Sequence, residues 1–211
     1  MPRVPRAVVA GAEELARRDK VLRRALRDLG VPELRRARPA GSYFAELARA
    51  ICYQQLAGRA AAAIHGRFVA LFPDNTPTPS AVLTTPMEKL RGAGLSNAKA
   101  LSISDLAHKV DEGLVELDRM ARLPDDEVIR ELTLVRGIGE WTAQMFLMFQ
   151  LGRLDVWPVG DLGVRAGYAR LYGLDAPPTP KALTQLGEPF RPYRSLVAWW
   201  CWRTTDVVLP D

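Results

Sequence analysis

Gly137-Ile138-Gly139 separates two apolar, helix-spaced segments, and no other feature limits the fold of this chain so tightly. Residues 125–135 upstream place apolar side chains on a helical period. Residues 140–151 downstream do the same and are apolar almost throughout, which assigns them to an interior. One helix must end, the chain must reverse, and a second helix must begin within four residues. Glycine supplies the positive φ and the close backbone approach that such a reversal demands. The second helix then presents free N–H groups and a partial positive charge at its N-terminus. Together these suit a phosphate and read no sequence. A tight helical corner, with glycines for steric reasons alone, is the better account of an isolated Gly-x-Gly. The flanking residues must separate the two readings.

The helical period extends over the rest of the chain. Ser42 is placed to cap a helix over 43–56, in which Phe44, Leu47, Ala48 and Ile51 recur on one side. A second helix is expected over 59–72, ending before Pro73. Thr85-Pro86-Met87-Glu88 has the form of a capping box with proline at the first helical position. Ser96 opens a helix to about 112 with Leu101, Leu106 and Val110 inward, and further helices are expected over 161–172, 180–190 and 192–205. No run alternates with period two, so the expected class is all-α.

With 211 residues, 48% hydrophobic and 25% charged, the chain has the make-up of a soluble protein with a sizeable core. No apolar run approaches the roughly 18 residues of a membrane span, so no membrane partner is expected, and the N-terminus shows no secretory leader. Cys52 and Cys201 are too few for a disulfide framework or a four-ligand metal site and read as buried thiols in a reducing compartment. The net charge is +5, and residues 1–40 carry 11 Lys or Arg against 5 Asp or Glu. Of the 29 basic residues 24 are arginine, the better bidentate partner for phosphate. This balance suits a polyanionic partner without deciding for one, since a GC-rich genome also accounts for the arginines.

Five blocks taken together resemble the helix-hairpin-helix DNA glycosylase superfamily and, within it, the 3-methyladenine DNA glycosylase II family. They are Ile51-Cys52-Tyr53-Gln54-Gln55-Leu56-Ala57, Gly94-Leu95-Ser96-Asn97-Ala98-Lys99-Ala100, Val135-Arg136-Gly137-Ile138-Gly139-Glu140-Trp141-Thr142-Ala143, Asp155-Val156-Trp157-Pro158-Val159-Gly160-Asp161-Leu162 and Arg191-Pro192-Tyr193-Arg194-Ser195. They fall in family order across roughly residues 42–205. The resemblance implies a two-lobed helical fold with a DNA-binding cleft between lobes, one lobe spanning 51–154 and the other 1–50 plus 155–211. Some members carry an extra N-terminal α/β domain, for which the residues before Ser42 are too few. It also implies a monomer acting on alkylated double-stranded DNA, cytoplasmic and nucleoid-associated in a bacterium.

The resemblance further assigns roles. In bifunctional members a lysine one step beyond the hairpin attacks the sugar; Trp141 stands there in this chain and holds no nucleophile. Iron–sulfur branches need four cysteines near the C-terminus, where only Cys201 is found. A monofunctional enzyme without a cluster is therefore expected. In relatives the hairpin carbonyls can hold a monovalent cation; no other cofactor is implied. The catalytic carboxylate maps to Asp161, 20 residues after Trp141 and at the expected start of a helix, where an ordinary N-cap is the plain alternative. Breaking an N-glycosidic bond builds positive charge on the sugar, and a fixed anion nearby stabilises it. His65 and His108 are remote from these motifs, so no general acid for a leaving base is in view. Bases already cationic through alkylation, such as 3-methyladenine and 7-methylguanine, need none.

For the base pocket the resemblance names Trp141 and Trp202, with Met145 where some members have tyrosine; Tyr43 and Phe44 serve a cleft or a core equally well. Trp199 and Trp200 read more readily as core aromatics. Gln55, flanked by Gln54, maps to the wedge that fills the gap left by a flipped nucleotide. Arg136, Gly137, Ile138, Gly139 and Thr142 map to the phosphate-binding hairpin, and Lys99 reaches a phosphate or only solvent. Glu140 has no evident role beside a phosphate. A non-catalytic helix-hairpin-helix module binding DNA is the competing class; it would have no use for Asp161 at this spacing.

Overall fold

The computed structural model describes residues 4–34, 39–56 and 58–205, and every regular element among them is helical. The chain opens with α1 (Arg6–Arg18) and α2 (Lys20–Leu29). Asp19 turns one into the other: its Oδ1 accepts from the Val21 and Leu22 N–H groups at 2.6 and 3.2 Å, and its Oδ2 accepts from the Tyr172 hydroxyl at 2.9 Å. Burial, together with Asp19 itself, holds that phenol above its ordinary pKa. Next come α3 (Tyr43–Tyr53), α4 (Gly58–Val69), α5 (Pro79–Leu83), α6 (Met87–Gly92) and α7 (Asn97–Asp111). They are followed by α8 (Asp125–Thr133), α9 (Glu140–Phe149), α10 (Leu162–Tyr172), α11 (Pro180–Leu186) and α12 (Arg194–Arg203). No helix among the described residues is long and apolar enough to cross a membrane.

The chain divides into two compact units, one of Met1–Ala37 with Leu147–Asp211 and the other Arg38–Phe146. Where one lobe is expected over 51–154, the second unit spans Arg38–Phe146. The reason is α3, whose Tyr43, Phe44, Leu47, Ala48 and Ile51 are all buried and whose neighbours α4 and α7 belong to the second unit. The Tyr43 ring meets Phe146 edge-on at 5.1 Å. Tyr43 and Phe44 sit in the core of that unit, at 1% and 4% exposure.

Ser96 caps α7 as expected, accepting from the Lys99 N–H at 3.3 Å. Two other caps are not made. Ser42 has helical φ and ψ because a 3-10 turn, Ala40–Ser42, runs straight into α3, and its hydroxyl donates to the Pro39 carbonyl instead. Thr85 turns back to the previous helix and donates to the Ala81 carbonyl at 2.7 Å, leaving Pro86 as the residue before α6. α3 also stops three residues before its expected end, at Tyr53.

In the first unit α10 and α12 approach closely across Gly167. α12 is nearly all buried: Trp199 and Trp200 are core, the latter donating its indole N–H to the Gly30 carbonyl at 3.0 Å. Asp155 anchors the start of this helix by accepting from the Arg194 guanidinium at 2.8 and 2.9 Å and from Arg191 at 2.9 Å.

Candidate active site

In the first unit, Asp161 is the N-cap of α10, with extended φ and ψ. Its Oδ1 accepts from the Val164 N–H at 2.7 Å and from the indole N–H of Trp202 at 3.0 Å. The Val164 bond is local and was implied by the sequence pattern. The Trp202 bond spans 41 residues and requires the close α10–α12 approach. A Cβ on Gly167 would lie 2.0 Å from the Cys201 carbonyl oxygen, so only glycine admits the two backbones this near each other. Two donors on one oxygen hold the carboxylate in one rotamer. Trp202 is 1% exposed, its ring 6.2 Å from that of Phe149. Its position is that of a carboxylate holder, with its polar edge turned to Asp161. Next to Asp161, Leu162 is the opposite case, 74% exposed.

The second unit carries the hairpin. Val135 accepts from the Ile138 N–H at 3.1 Å to close the turn, Gly137 takes φ +77°, and Gly139 accepts from the Ala143 N–H at 3.1 Å to start α9. Ile138 is buried and pins the turn, while Arg136, Gly137 and Gly139 are exposed and Thr142 is buried. The first N–H groups of α9 have no intrahelical acceptor. Glu140 is accounted for: its carboxylate accepts from the Gln144 amide at 3.0 Å, along its own helix. Trp141 is 48% exposed and Met145, one turn on, is buried.

Two residues that sequence reasoning missed hold this turn from α7. Asp105 accepts from the Arg136 N–H at 2.7 Å and pairs with Lys109 at 2.6 Å. Burial works against the Asp105 anion, yet these bonds and the charges of Lys109 and His108 keep its pKa below the ordinary value. Ser102 lies under Gly137, its Oγ 2.6 Å from where a Cβ would be. Neither residue has a local sequence signal, since each acts on a segment more than 30 positions away.

The turn expected to hold the wedge follows α3. Gln54 leaves the helix with φ −53° and ψ 131°, and Gln55 adopts φ +56°, a left-handed conformation unusual for a side chain other than glycine. Gln55 and Leu56 are exposed. The Gln54 amide donates to the Gly137 carbonyl at 2.9 Å, joining this turn to the hairpin. Lys99 donates to the Cys52 carbonyl at 2.7 Å and so caps the end of α3; reaching a phosphate would break that bond. Partial burial lowers the ammonium's pKa, and burial pushes the Cys52 thiol up to about 12.

The histidines are nearer to these elements than the sequence suggested. His65, on α4, meets the ring of Tyr53, the last residue of α3, edge-on at 5.9 Å. His108 lines a hollow of about 440 Å³ together with Asp105 and Arg136. The physical reason is the packing of α3 against α4 and the attachment of the hairpin to α7. Neither histidine belongs to the unit that carries Asp161.

The family model for HhH-GPD superfamily base excision DNA repair proteins matches residues 48–192. The chain belongs to this superfamily. Among curated relatives of this HhH-GPD protein, DNA-3-methyladenine glycosylase 1 of Schizosaccharomyces pombe is 37% identical over 166 residues, 78% of this chain and 73% of the relative. A solved 3-methyladenine DNA glycosylase of the same yeast, in complex with abasic DNA, matches with TM-score 0.82 and 32% identity, over 96% of this chain and 99% of that one. A DNA-3-methyladenine glycosidase of Bacillus halodurans matches with TM-score 0.83 and 32% identity, over 92% and 88% of the two chains.

Proposed function

We propose that this HhH-GPD protein is a monofunctional DNA glycosylase that releases alkylated bases, 3-methyladenine and 7-methylguanine among them, from duplex DNA. The observation that carries the reading is the doubly held Asp161 carboxylate, since a module that only binds DNA has no use for an anion fixed by both a helix N-terminus and a buried indole. The names of its relatives, DNA-3-methyladenine glycosylases, support the substrate class.

In the proposed reaction the bond between C1′ and the base nitrogen breaks and its electron pair leaves with the base. A base that arrives cationic departs neutral and needs no proton. Asp161 stabilises the positive charge left on the sugar, and water adds to C1′ and releases its proton. Trp141 stands where bifunctional relatives carry lysine, so the water route has no covalent competitor and no strand cleavage follows. The reaction uses neither a metal nor an iron–sulfur cluster. Of the hairpin carbonyls, those of Val135, Gly137 and Gly139 already accept hydrogen bonds, so a monovalent cation there would have to share them. The expected acting form is a monomer on double-stranded DNA.

The test is incubation with methylated duplex DNA, scoring released base and strand breaks with and without alkali. Release of methylated purines with breaks only after alkali is the expected result, with no adduct trapped by borohydride. Asp161→Asn should abolish release while retaining binding to an abasic-analogue duplex. Full activity in that variant, or breaks without alkali, would refute the assignment.

A further inference from the structure

Gln54 and Gln55 are neighbours with opposite fates in this structure. Gln55 projects from the turn in a left-handed conformation and is exposed. Gln54 is half-buried, with its amide committed to the Gly137 carbonyl at the apex of the hairpin, 83 positions away in sequence. Both ends of that bond are themselves held. The carbonyl of Cys52, two residues before Gln54, accepts from Lys99, and the Arg136 N–H, one residue before Gly137, donates to Asp105. Lys99 and Asp105 both stand on α7, with Ser102 between them under Gly137. The two turns thus share one support and are joined directly by a single side chain.

We propose that Gln54 is a positioning residue that couples the phosphate-gripping hairpin to the wedge, so that the register in which the hairpin holds the backbone sets where Gln55 enters the base stack. The inference rests on the reading of the hairpin and of Gln55 given above. A wedge pushed into a stack is pushed back. Within the turn after α3 the Leu56 N–H makes a long bond, 3.4 Å, to the Tyr53 carbonyl. The Gln54 bond passes the load to the hairpin, which the bound phosphate anchors. Gln54 in this role touches no base and no reacting atom, and its loss should affect the distinction between damaged and undamaged DNA rather than general affinity.

The experiment compares wild type, Gln54→Leu, Gln54→Glu, Gln55→Ala and the Gln54→Leu/Gln55→Ala pair on two duplexes. One is undamaged; the other holds a tetrahydrofuran abasic analogue beside 2-aminopurine, whose fluorescence rises on unstacking. Gln54→Leu removes the donor, and Gln54→Glu opposes an acceptor to the carbonyl with nearly the same shape. Both should cut the preference for the abasic duplex by about fivefold to tenfold and reduce the fluorescence rise, with undamaged-duplex affinity changed by less than about twofold. The double variant should fall within about twofold of Gln55→Ala, because coupled residues do not give additive losses. Equal losses on both duplexes, an unchanged preference, or losses that multiply in the double variant would each overturn the coupling. If Gln55→Ala alone changes neither preference nor fluorescence, the wedge reading itself fails and the coupling goes with it. A clear Gln55→Ala effect that Gln54→Leu multiplies refutes only the tether.

Discussion

Gly167→Ala isolates the packing that brings Asp161 and Trp202 together. In an exposed helix the change would stabilise by about 1 kcal/mol through backbone entropy. Here the new Cβ would meet the Cys201 carbonyl oxygen at 2.0 Å, its carbon at 2.4 Å and its Cα at 2.6 Å, where ordinary contact begins at 3.4 Å. All three atoms are backbone, so no side chain can swing aside, and α12 must move from α10 by more than about 1 Å. Overpacking of this kind costs roughly 1–3 kcal/mol, and a rigid obstacle puts it at the upper end. Against the helix-propensity gain, the net loss is about 2 kcal/mol, or roughly 4–8 °C in Tm for a chain of this size. The same displacement stretches the 3.0 Å bond from Trp202 to Asp161. A hydrogen bond to a charged group contributes about 1.5–3 kcal/mol, so partial loss should lower kcat about tenfold. Calorimetry gives the first number and single-turnover release of methylated base the second. A Tm equal to or above wild type would show that propensity wins and that the helices are less tightly apposed than described. Lowered Tm with unchanged kcat would break the link from packing to the carboxylate.

Three further perturbations test separate parts of the argument. Trp202→Phe keeps most of the buried ring but removes the donor to Asp161; single-turnover kcat should fall about tenfold to a hundredfold with duplex affinity unchanged, and equal losses in both would speak against a carboxylate-holding role. Gly137→Ala places a side chain at φ +77° against the Ser102 hydroxyl, which should weaken binding to undamaged and abasic duplexes alike by about tenfold. Adding Ser102→Ala should restore only part of this, because the backbone strain remains; full restoration would show that the oxygen was the whole obstacle. For His65, burial first and Arg49 second lower the folded pKa, while Glu46 opposes them. The unfolded chain therefore binds the proton more readily, so stability should hold above the ordinary value of 6.5 and decline as pH falls through it. His65→Gln should flatten that part of the profile of Tm against pH, and an unaltered slope would remove His65 as its cause.

The sequence was informative wherever an interaction is local. The all-α class, the Ser96 cap, the Asp161 cap and the glycine turn each depend on residues within about four positions, the reach of helix capping and turn chemistry. It was misleading where a longer-range partner competed for the same group. Thr85 has the right neighbours for a capping box, but α5, only five residues long and without a clear period, offers its Ala81 carbonyl first. Tyr43 and Phe44 lie at the start of a helix, and a helical period cannot say whether its inner face meets a cleft or another helix. Glu140 has no evident role beside a phosphate until Gln144, one turn on, donates to its carboxylate. The candidate carboxylate was legible as a position, but its second donor was not. The resemblance names Trp202 for the base pocket, and its indole edge also donates to Asp161 across 41 residues.

α7 ties together three of the familial blocks that lie far apart in sequence, 51–57, 94–100 and 135–143. Lys99, Ser102 and Asp105 follow at steps of three and so wind along one side of the helix. In turn they meet the carbonyl that ends α3, the space beneath Gly137 and the N–H of Arg136. Ser102 and Asp105 carry no chemistry that a motif search would single out, and Lys99, though in a familial block, has a plain reading as a solvated lysine. Their common effect is to make two turns of irregular backbone as fixed as the helix that bears them. Irregular turns supply the exposed N–H groups and the projecting side chain that regular structure would consume in its own hydrogen bonds. Rigidity has to be imported from a neighbouring element, and here one helix supplies it to both. A change at Lys99 should consequently disturb the wedge turn, one at Asp105 the hairpin, and one at Gln54 the relation between them.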